Sequence, residues 1–314
     1  MQIIELSYPV SLSKESLPKT VAALGFFDGI HQGHRAVIGE AVDIAQKQHK
    51  ECAVITFHPH PSVVLKQTNE TVQYITTIDE KAELLSEMGV DRLYIITFNK
   101  TLSKLSPEEF IKHFIVDLHI EHVVAGFDFS FGHKGKGNMK NIHSFGFDQF
   151  TTTVIDKIEL EDEKVSSTNI RKALHIGDVE EVHNLLDRPY ETSGKVITGA
   201  KRGRQLGFPT ANIAVSTLKL LPKQGVYAVT IDVKDKLYKG MANLGVNPTF
   251  VEGKTIPSLE VYIFDFEADI YEEEVTVYWY KHMRDEKKFN GVDEIVNQLT
   301  EDEKQIRAYF NLKN

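Results

Sequence analysis

From residue 21 to about residue 188, short apolar runs alternate with apolar residues at helical spacing, a pattern that predicts βαβ units and a parallel sheet. The runs are 21–24, 53–57, 93–98, 122–125 and 152–158. Between the first two, Val37, Ala41, Ile44 and Ala45 fall at i, i+4, i+7 and i+8 and so share one helical face. Two further helix starts carry a capping box: Thr77 with Glu80, and Ser106 with Glu109, where Pro107 takes the first helical position. Gly89 and Gly177 stand where helices are expected to end.

After Pro189 the period becomes two. Glu260, Tyr262, Phe264 and Phe266 alternate with Leu259, Val261, Ile263 and Asp265, while Val275, Val277 and Trp279 share one face of another strand. This predicts an antiparallel barrel, with a sandwich as the alternative. Residues 292–310 return to helical spacing, with Thr300 and Glu303 as an internal capping box. Leu185-Leu186-Asp187-Arg188-Pro189 ends the last helix of the first half. The expected domains are therefore 1–187, a Rossmann-like α/β domain, and 188–314, the barrel with its terminal helix. Two domains also suit a chain of 314 residues.

Composition narrows the function classes. Hydrophobic residues at 41% and charged residues at 26% place the chain among globular proteins. The net charge of −9 argues against a nucleic-acid coat and leaves room only for a local basic pocket. A cationic leader and a run approaching the ~18 apolar residues of a membrane span are both missing. Cys52 is the only cysteine, so intramolecular disulfides are excluded and a reducing cytoplasm is the expected compartment. Beside Ala53-Val54-Ile55 it reads as a small buried hydrophobe.

The segment 24–34, LGFFDGIHQGH, joins a predicted strand to a predicted helix, the junction that faces the ligand crevice of a doubly wound sheet. Gly25, Gly29 and Gly33 let backbone approach a ligand, and His31 and His34 can both point into the crevice. Their N–H groups can donate to charge developing on a phosphoryl group. Taken alone, the pair also fits a tight turn with two surface histidines, or zinc, although neither a helical H-E-x-x-H nor paired cysteines accompany it. A second segment, Ser166-Ser167-Thr168-Asn169-Ile170-Arg171, offers hydroxyls and a guanidinium at a helix start, suited to a triphosphate or simply to an N-cap.

In the second half, the run 194–212 combines Gly199, Gly203 and Gly207 with Arg204 and other cations, then Thr210 and Asn212. On an extended backbone the last two project to one side and can reach one hard cation. The spacing is not that of a Walker A loop, and a glycine-rich hairpin with a solvated basic edge is the alternative. Glu260 shares its strand face with Tyr262 and Phe264, which argues against full exposure.

These residues carry a resemblance. Phe27-Asp28-Gly29-x-His31-x-Gly33-His34 together with Ser166-Ser167-Thr168-x-Ile170-Arg171 resembles the paired signatures of nucleotidyltransferases with an HxGH motif. Phe57-His58-Pro59-His60-Pro61 and Gly126-Phe127-Asp128-Phe129-Ser130-Phe131-Gly132 resemble the flavin-side loops of bacterial FAD synthetases. Pro209-Thr210-Ala211-Asn212, the block starting at Asn243, the Glu260 strand, and Arg284 with Phe289 resemble the riboflavin kinase module. Nearly the whole chain is covered.

The resemblance implies a bifunctional enzyme that phosphorylates riboflavin to FMN and adenylylates FMN to FAD with release of pyrophosphate. It would use ATP and Mg2+ and need no nucleic acid or membrane. In the first module it assigns Gly25, Phe27, Asp28, Gly29, His31, His34, Ser167, Thr168 and Arg171 to ATP, and Pro59, His60, Asp128 and Phe129 to the flavin. Phe127, Phe129 and Phe131 also fit a buried strand edge, with at least one of them in the core. In the kinase module it assigns Gly199, Gly203, Arg204, Gly207, Thr210 and Asn212 to ATP, Thr210 and Asn212 to the metal, Arg284 and Phe289 to the flavin, and Glu260 to general-base catalysis. The family usually has Tyr-Gly where this chain has Tyr271-Glu272, a change that a turn with positive φ disfavours. Alternatives are an adenylyltransferase with a decayed kinase half, and a flavin-sensing binding protein.

Overall fold

Every residue of the strand Thr20–Leu24 is buried, as a strand must be when helices cover both faces of its sheet. The computed structural model describes residues 1–65, 72–146, 149–160, 163–199, 202–251 and 254–312. They divide into two compact units, Met1–Ser167 and Thr168–Asn314.

The first unit is built on β1 (Gln2–Leu6), β2 (Thr20–Leu24), β3 (Glu51–His58), β4 (Arg92–Thr97), β5 (Ile120–Gly126) and β6 (Thr151–Ile155). They pair in parallel in the order β1-β4-β3-β2-β5-β6. Each expected strand is present within a few residues. β1 is an addition: it is an edge strand with one buried residue, so its sequence carries little hydrophobic signal. Alternate residues serve opposite faces. Ala22, Leu24, Ala53, Ile55, Tyr94 and Ile96 pack with Phe110 and Phe114, whereas Val21, Ala23, Cys52, Val54, Leu93 and Ile95 pack beneath the helices. Cys52 is a core residue, and burial pushes its thiol up to about 12, so it stays protonated.

Helix α1 (Gln32–Lys47) buries Val37, Ile38, Ala41, Val42 and Ala45. Both capping boxes form, opening α2 (Ile78–Glu87) and α3 (Pro107–Ile111). The strand order reverses between β2 and β5, and in such sheets the ligand crevice opens beyond the carboxyl ends of the strands at that point.

The second unit begins with α4 (Ser167–Ile176) from Thr168 onward and α5 (Val179–Leu186). Val182, Leu185 and Leu186 are buried, the Lys223 amide donates to the Leu174 carbonyl at 2.8 Å, and Glu180 pairs with Lys281. Sequence grammar puts the boundary at 187/188, where α5 ends on the left-handed Asp187. The packing division falls earlier, because these helices bury their apolar faces within the barrel unit.

The barrel strands are β7 (Tyr190–Ile197), β8 (Thr210–Val215), β9 (Gly225–Val233), β10 (Leu237–Val251), β11 (Lys254–Ile263) and β12 (Glu274–Arg284). They close in the order β7-β8-β11-β10-β9-β12, with every described pairing antiparallel. Val275, Val277 and Trp279 are buried together as the period-two pattern requires. The Trp279 indole meets Tyr227 edge to face and donates to Thr192 Oγ1 at 2.9 Å. β11 stops at Ile263, so the alternation read through Phe266 outruns the strand. Helix α6 (Val292–Tyr309) lays Ile306 against Phe208, Met241 and Phe264. The expected cap at Thr300 is not a helix start: the Thr300 hydroxyl donates to the Val296 carbonyl within an unbroken helix, and Glu303 pairs with Arg307. Among the described residues no helix is long and apolar enough to cross a membrane.

The Tyr271-Glu272 departure leaves a mark. Glu272 has φ 65°, a region where a Cβ costs about 1–2 kcal/mol. Its exposed ion pair with Lys195 is screened by solvent and offsets little of that cost. Glu272→Gly is therefore expected to raise stability by about 0.5–1 kcal/mol after the added freedom of the unfolded chain. Glu272→Ala keeps the strain and loses the pair, so its melting temperature should not rise.

Candidate active sites

In the first unit the chain leaving β2 turns sharply before α1. Phe27 has φ 52°, Gly29 φ 94° and Ile30 φ 43°. A β-branched residue at positive φ is strained and persists only where its surroundings over-determine it. Here they do: Phe27 and Ile30 are fully buried, and the buried Asp28 carboxylate accepts from the amides of Ile75 and Thr76 at 2.9 and 3.2 Å.

The turn delivers His31 as the N-cap of α1, its Nδ1 accepting the His34 amide at 3.3 Å. An accepting Nδ1 carries no hydrogen, so the neutral ring holds its proton on Nε2. His34 stacks on His31 with centroids 3.6 Å apart and planes 17° apart, and Phe27 meets His34 edge-on. Stacked rings do not converge on one point, which disfavours the zinc alternative. They sit instead at a helix start whose amides and dipole favour an anion. Ser167 Oγ donates to the Asp28 carbonyl at 2.8 Å and brings the second serine of the second signature to this turn. Thr168 and Arg171 follow on α4, in the second unit.

The expected flavin-side loops leave β3 and β5 from the same end of the sheet. The His60 ring meets Phe26 edge to face at 4.4 Å, and its amide donates to Tyr74 Oη, next to Pro59. Past β5, Asp128 is exposed and Phe129 half-buried, with Phe129 stacked toward Phe131 at 6.1 Å. Of the three aromatics, Phe131 is the core residue and Phe127 faces solvent.

One residue of this site escaped the sequence reading. Lys81, on α2, is 2% exposed. Its Nζ donates to the Phe26 carbonyl at 2.8 Å and to Thr56 Oγ1 at 3.1 Å. Burial pushes it down to about 8, with the Asp28 charge acting the other way. The signal was present: Ile78, Lys81, Ala82 and Leu85 occupy i, i+3, i+4 and i+7, so a lysine holds a core position of the helix.

In the second unit, strand register assembles the site on the barrel wall. Glu260 on β11 lies opposite Asn212 on β8 and opposite Asn243 on β10. Thr210, two residues before Asn212, donates its hydroxyl to Glu260 Oε2 at 3.1 Å. A cleft of about 220 Å³ opens here, lined by Gly203, Phe208, Thr210, Met241, Asn243, Glu260, Tyr262, Arg284 and Phe289 among others. Thr210 also lines a second cleft, of about 400 Å³, with Arg204, Pro209, Ile263, Phe266 and Tyr271. Glu260 is half-buried, not a solvent-facing strand residue.

Gly203 and Arg204 belong to the short helix Arg202–Gln205, and Gly207 follows it. Gly199 has a packing reason: a Cβ there would overlap the Asn212 amide, so bare backbone gives that side chain its room. Thr210 and Asn212 thus present hard oxygen donors beside a carboxylate, a donor set that fits magnesium. The Arg284 guanidinium grips Asp302 of α6 through two nitrogens, at 2.6 and 2.9 Å, while Asp302 also accepts from Gln298 at 2.8 Å. Arg284 thereby ties α6 to the cleft it lines. Asn243 was not singled out as a site residue, since its place beside Glu260 follows only from strand register.

Comparison with known proteins agrees with both halves. The FAD synthetase family model matches residues 13–169, and the riboflavin kinase family model matches residues 186–310. A bifunctional riboflavin kinase/FMN adenylyltransferase of Listeria monocytogenes is 46% identical over 310 residues, 99% of this chain and 98% of that protein. The Bacillus subtilis protein of the same description is 42% identical over 312 residues, 99% of each chain. A crystal structure from Streptococcus pneumoniae, described as a macrolide-efflux protein, superposes with a TM-score of 0.86 at 32% identity, over 97% of this chain and 99% of that one.

Proposed function

The chain belongs to the bifunctional riboflavin kinase/FMN adenylyltransferase family, and from that premise we propose how its two reactions divide between its two halves. Residues 1–187 carry adenylyl transfer from ATP to FMN at the β2–α1 turn. Residues 188–314 carry phosphoryl transfer from ATP to riboflavin in the clefts beside Glu260. The observation that supports this division is that each unit holds its own polar constellation: His31 and His34 in the first, Thr210, Asn212 and Glu260 in the second.

In the kinase reaction, Glu260 takes the proton of the ribityl 5′-hydroxyl as that oxygen bonds to the γ-phosphorus and the bond to ADP breaks. Thr210 holds the carboxylate through the 3.1 Å hydrogen bond. Thr210 and Asn212 would hold magnesium, which when bound offsets phosphate charge. The larger cleft, with Arg204 at its wall, suits the nucleotide, and Arg284 and Phe289 bound the flavin side.

In the second reaction, an FMN phosphate oxygen attacks the α-phosphorus of a second ATP and pyrophosphate leaves. The phosphate is already anionic, so no base is required. The His31 and His34 rings donate to the charge that develops, and the α1 amides add to it. Thr168 and Arg171 serve the leaving phosphates, and Pro59, His60, Asp128 and Phe129 the flavin. A reducing cytoplasm suits a chain whose one cysteine is a buried thiol.

The test is to incubate the full chain with riboflavin, ATP and magnesium and follow the products by chromatography. FMN should appear first and FAD after it. Conversion of added FMN without conversion of riboflavin would identify an adenylyltransferase with a silent kinase half. Flavin binding without either product would identify a sensor.

A further inference from the structure

We propose that Lys81 is a positioning residue for adenylyl transfer, its ammonium holding the Phe26 carbonyl and thereby fixing the turn that carries His31 and His34. The proposal rests on the assignment of adenylyl transfer to that turn.

The Phe26 carbonyl accepts two hydrogen bonds, from Lys81 Nζ at 2.8 Å and from Thr56 Oγ1 at 2.8 Å. A carbonyl oxygen has two lone pairs, so both are in use and the Phe26–Phe27 peptide plane is fixed. That plane is the hinge of the strained stretch, because Phe27, at φ 52°, comes next and Ile30, at φ 43°, leads into His31. Thr56 and Lys81 also hydrogen-bond each other at 3.1 Å. The three groups thus close a triangle beneath the turn, built from β3, α2 and the turn itself. The Phe26 ring lies 5.0 Å from Nζ and meets His60 edge to face, so the same lysine braces a residue in contact with the expected flavin-side loop.

Packing alone does not account for a lysine here. Asp28, whose opposite charge acts on it, has a carboxylate oxygen engaged by the amides of Ile75 and Thr76. His58 also feels the lysine's charge. Burial holds Lys81 at about 8, against ~10.4 in an unfolded chain. The unfolded state therefore binds this proton more tightly, so below pH 8 the charged side chain opposes folding, and the opposition fades as pH rises from about 8 to about 10. A methionine would fill the same space without that burden. What methionine cannot do is donate to Phe26.

The experiment compares Lys81→Met and Thr56→Val with the wild-type full chain in three measurements: kcat and KM for FMN plus ATP, kcat for riboflavin phosphorylation, and melting temperature, all at pH 7. A misplacement of about 1 Å at a reacting site can cost up to ~10²-fold. Lys81→Met is accordingly expected to lower the adenylyl-transfer kcat about 10–50-fold, with KM values changed less than about 3-fold. Kinase kcat should be unchanged and the melting temperature equal or higher. Thr56→Val removes the other donor to the same oxygen and should lower the same kcat by a smaller factor; if Lys81→Met does not fold, this variant decides. A purely structural lysine predicts the opposite split, a lower melting temperature with unchanged kcat per folded molecule, and that result overturns the proposal. Wild-type enzyme that makes no FAD overturns the assignment of the turn, and the role of Lys81 with it. Active wild type with unaltered kcat in the variants overturns the role of Lys81 alone.

Discussion

Glu260→Gln is expected to lower kcat for riboflavin phosphorylation about 10²–10⁴-fold, the usual contribution of a general base. Glutamine keeps the size of the side chain and an oxygen that can accept from Thr210, so the 3.1 Å contact survives. Binding of riboflavin and ATP should therefore change little, and adenylylation of added FMN should be untouched. Measuring kcat, ligand affinity and melting temperature on one preparation checks this. A variant that melts lower but turns over normally would make Glu260 a strand residue and nothing more. Asn212→Ala is the companion: losing a metal-side oxygen should raise the magnesium needed for half-maximal rate, whereas losing the base should not. An equal magnesium response in the two variants would refute the division of roles across that strand pair.

His34→Ala is expected to slow FAD formation about 10²–10³-fold, as loss of a preorganised donor to a reacting phosphate does, with riboflavin phosphorylation preserved. His31→Ala should cost as much in rate, but it also removes the N-cap of α1, worth about 1 kcal/mol. His31→Asn separates the two effects, because asparagine is a good cap and cannot place an imidazole N–H at the phosphate. It should keep the melting temperature and lose the activity. Equal loss of both activities in any of these variants would mean a damaged fold.

The fold was largely legible because its signals are local. The unbroken buried runs of β2 and β3, both capping boxes and the Val275-Val277-Trp279 face each declare themselves within a few residues. β1 did not, since an edge strand that buries one side chain has almost no pattern to show. The helices between Thr168 and Leu186 were recognised as helices, but which neighbour their apolar faces meet is a property of packing, not of spacing. The sites divide in the same way. His31, His34, Thr210, Asn212 and Glu260 stand in compact motifs. Asn243 reaches Glu260 only across a strand pair. Lys81 reaches the turn from α2, disguised as one polar residue in an apolar stripe, and Arg284, assigned to the flavin, proves also to be clamped by Asp302 on another element, α6.

Barrel closure has a consequence for the order in which the two halves come into being on the ribosome. The parallel sheet has its last strand by Ile155, so its hydrogen-bond ladder can be complete while much of the chain is still unmade. β7 must wait for β12, Glu274–Arg284, before the barrel can shut, and the Arg284–Asp302 clamp needs a helix that ends at Tyr309. Domains tend to fold as units during N-to-C synthesis, so the nascent chain passes through a stage with a finished first sheet and an open second one. Through that stage β7 and β8 are strands with free edges, the kind that pair with the wrong chain. The closing strand and the last helix therefore end the period of greatest aggregation risk as well as completing the cleft beside Glu260.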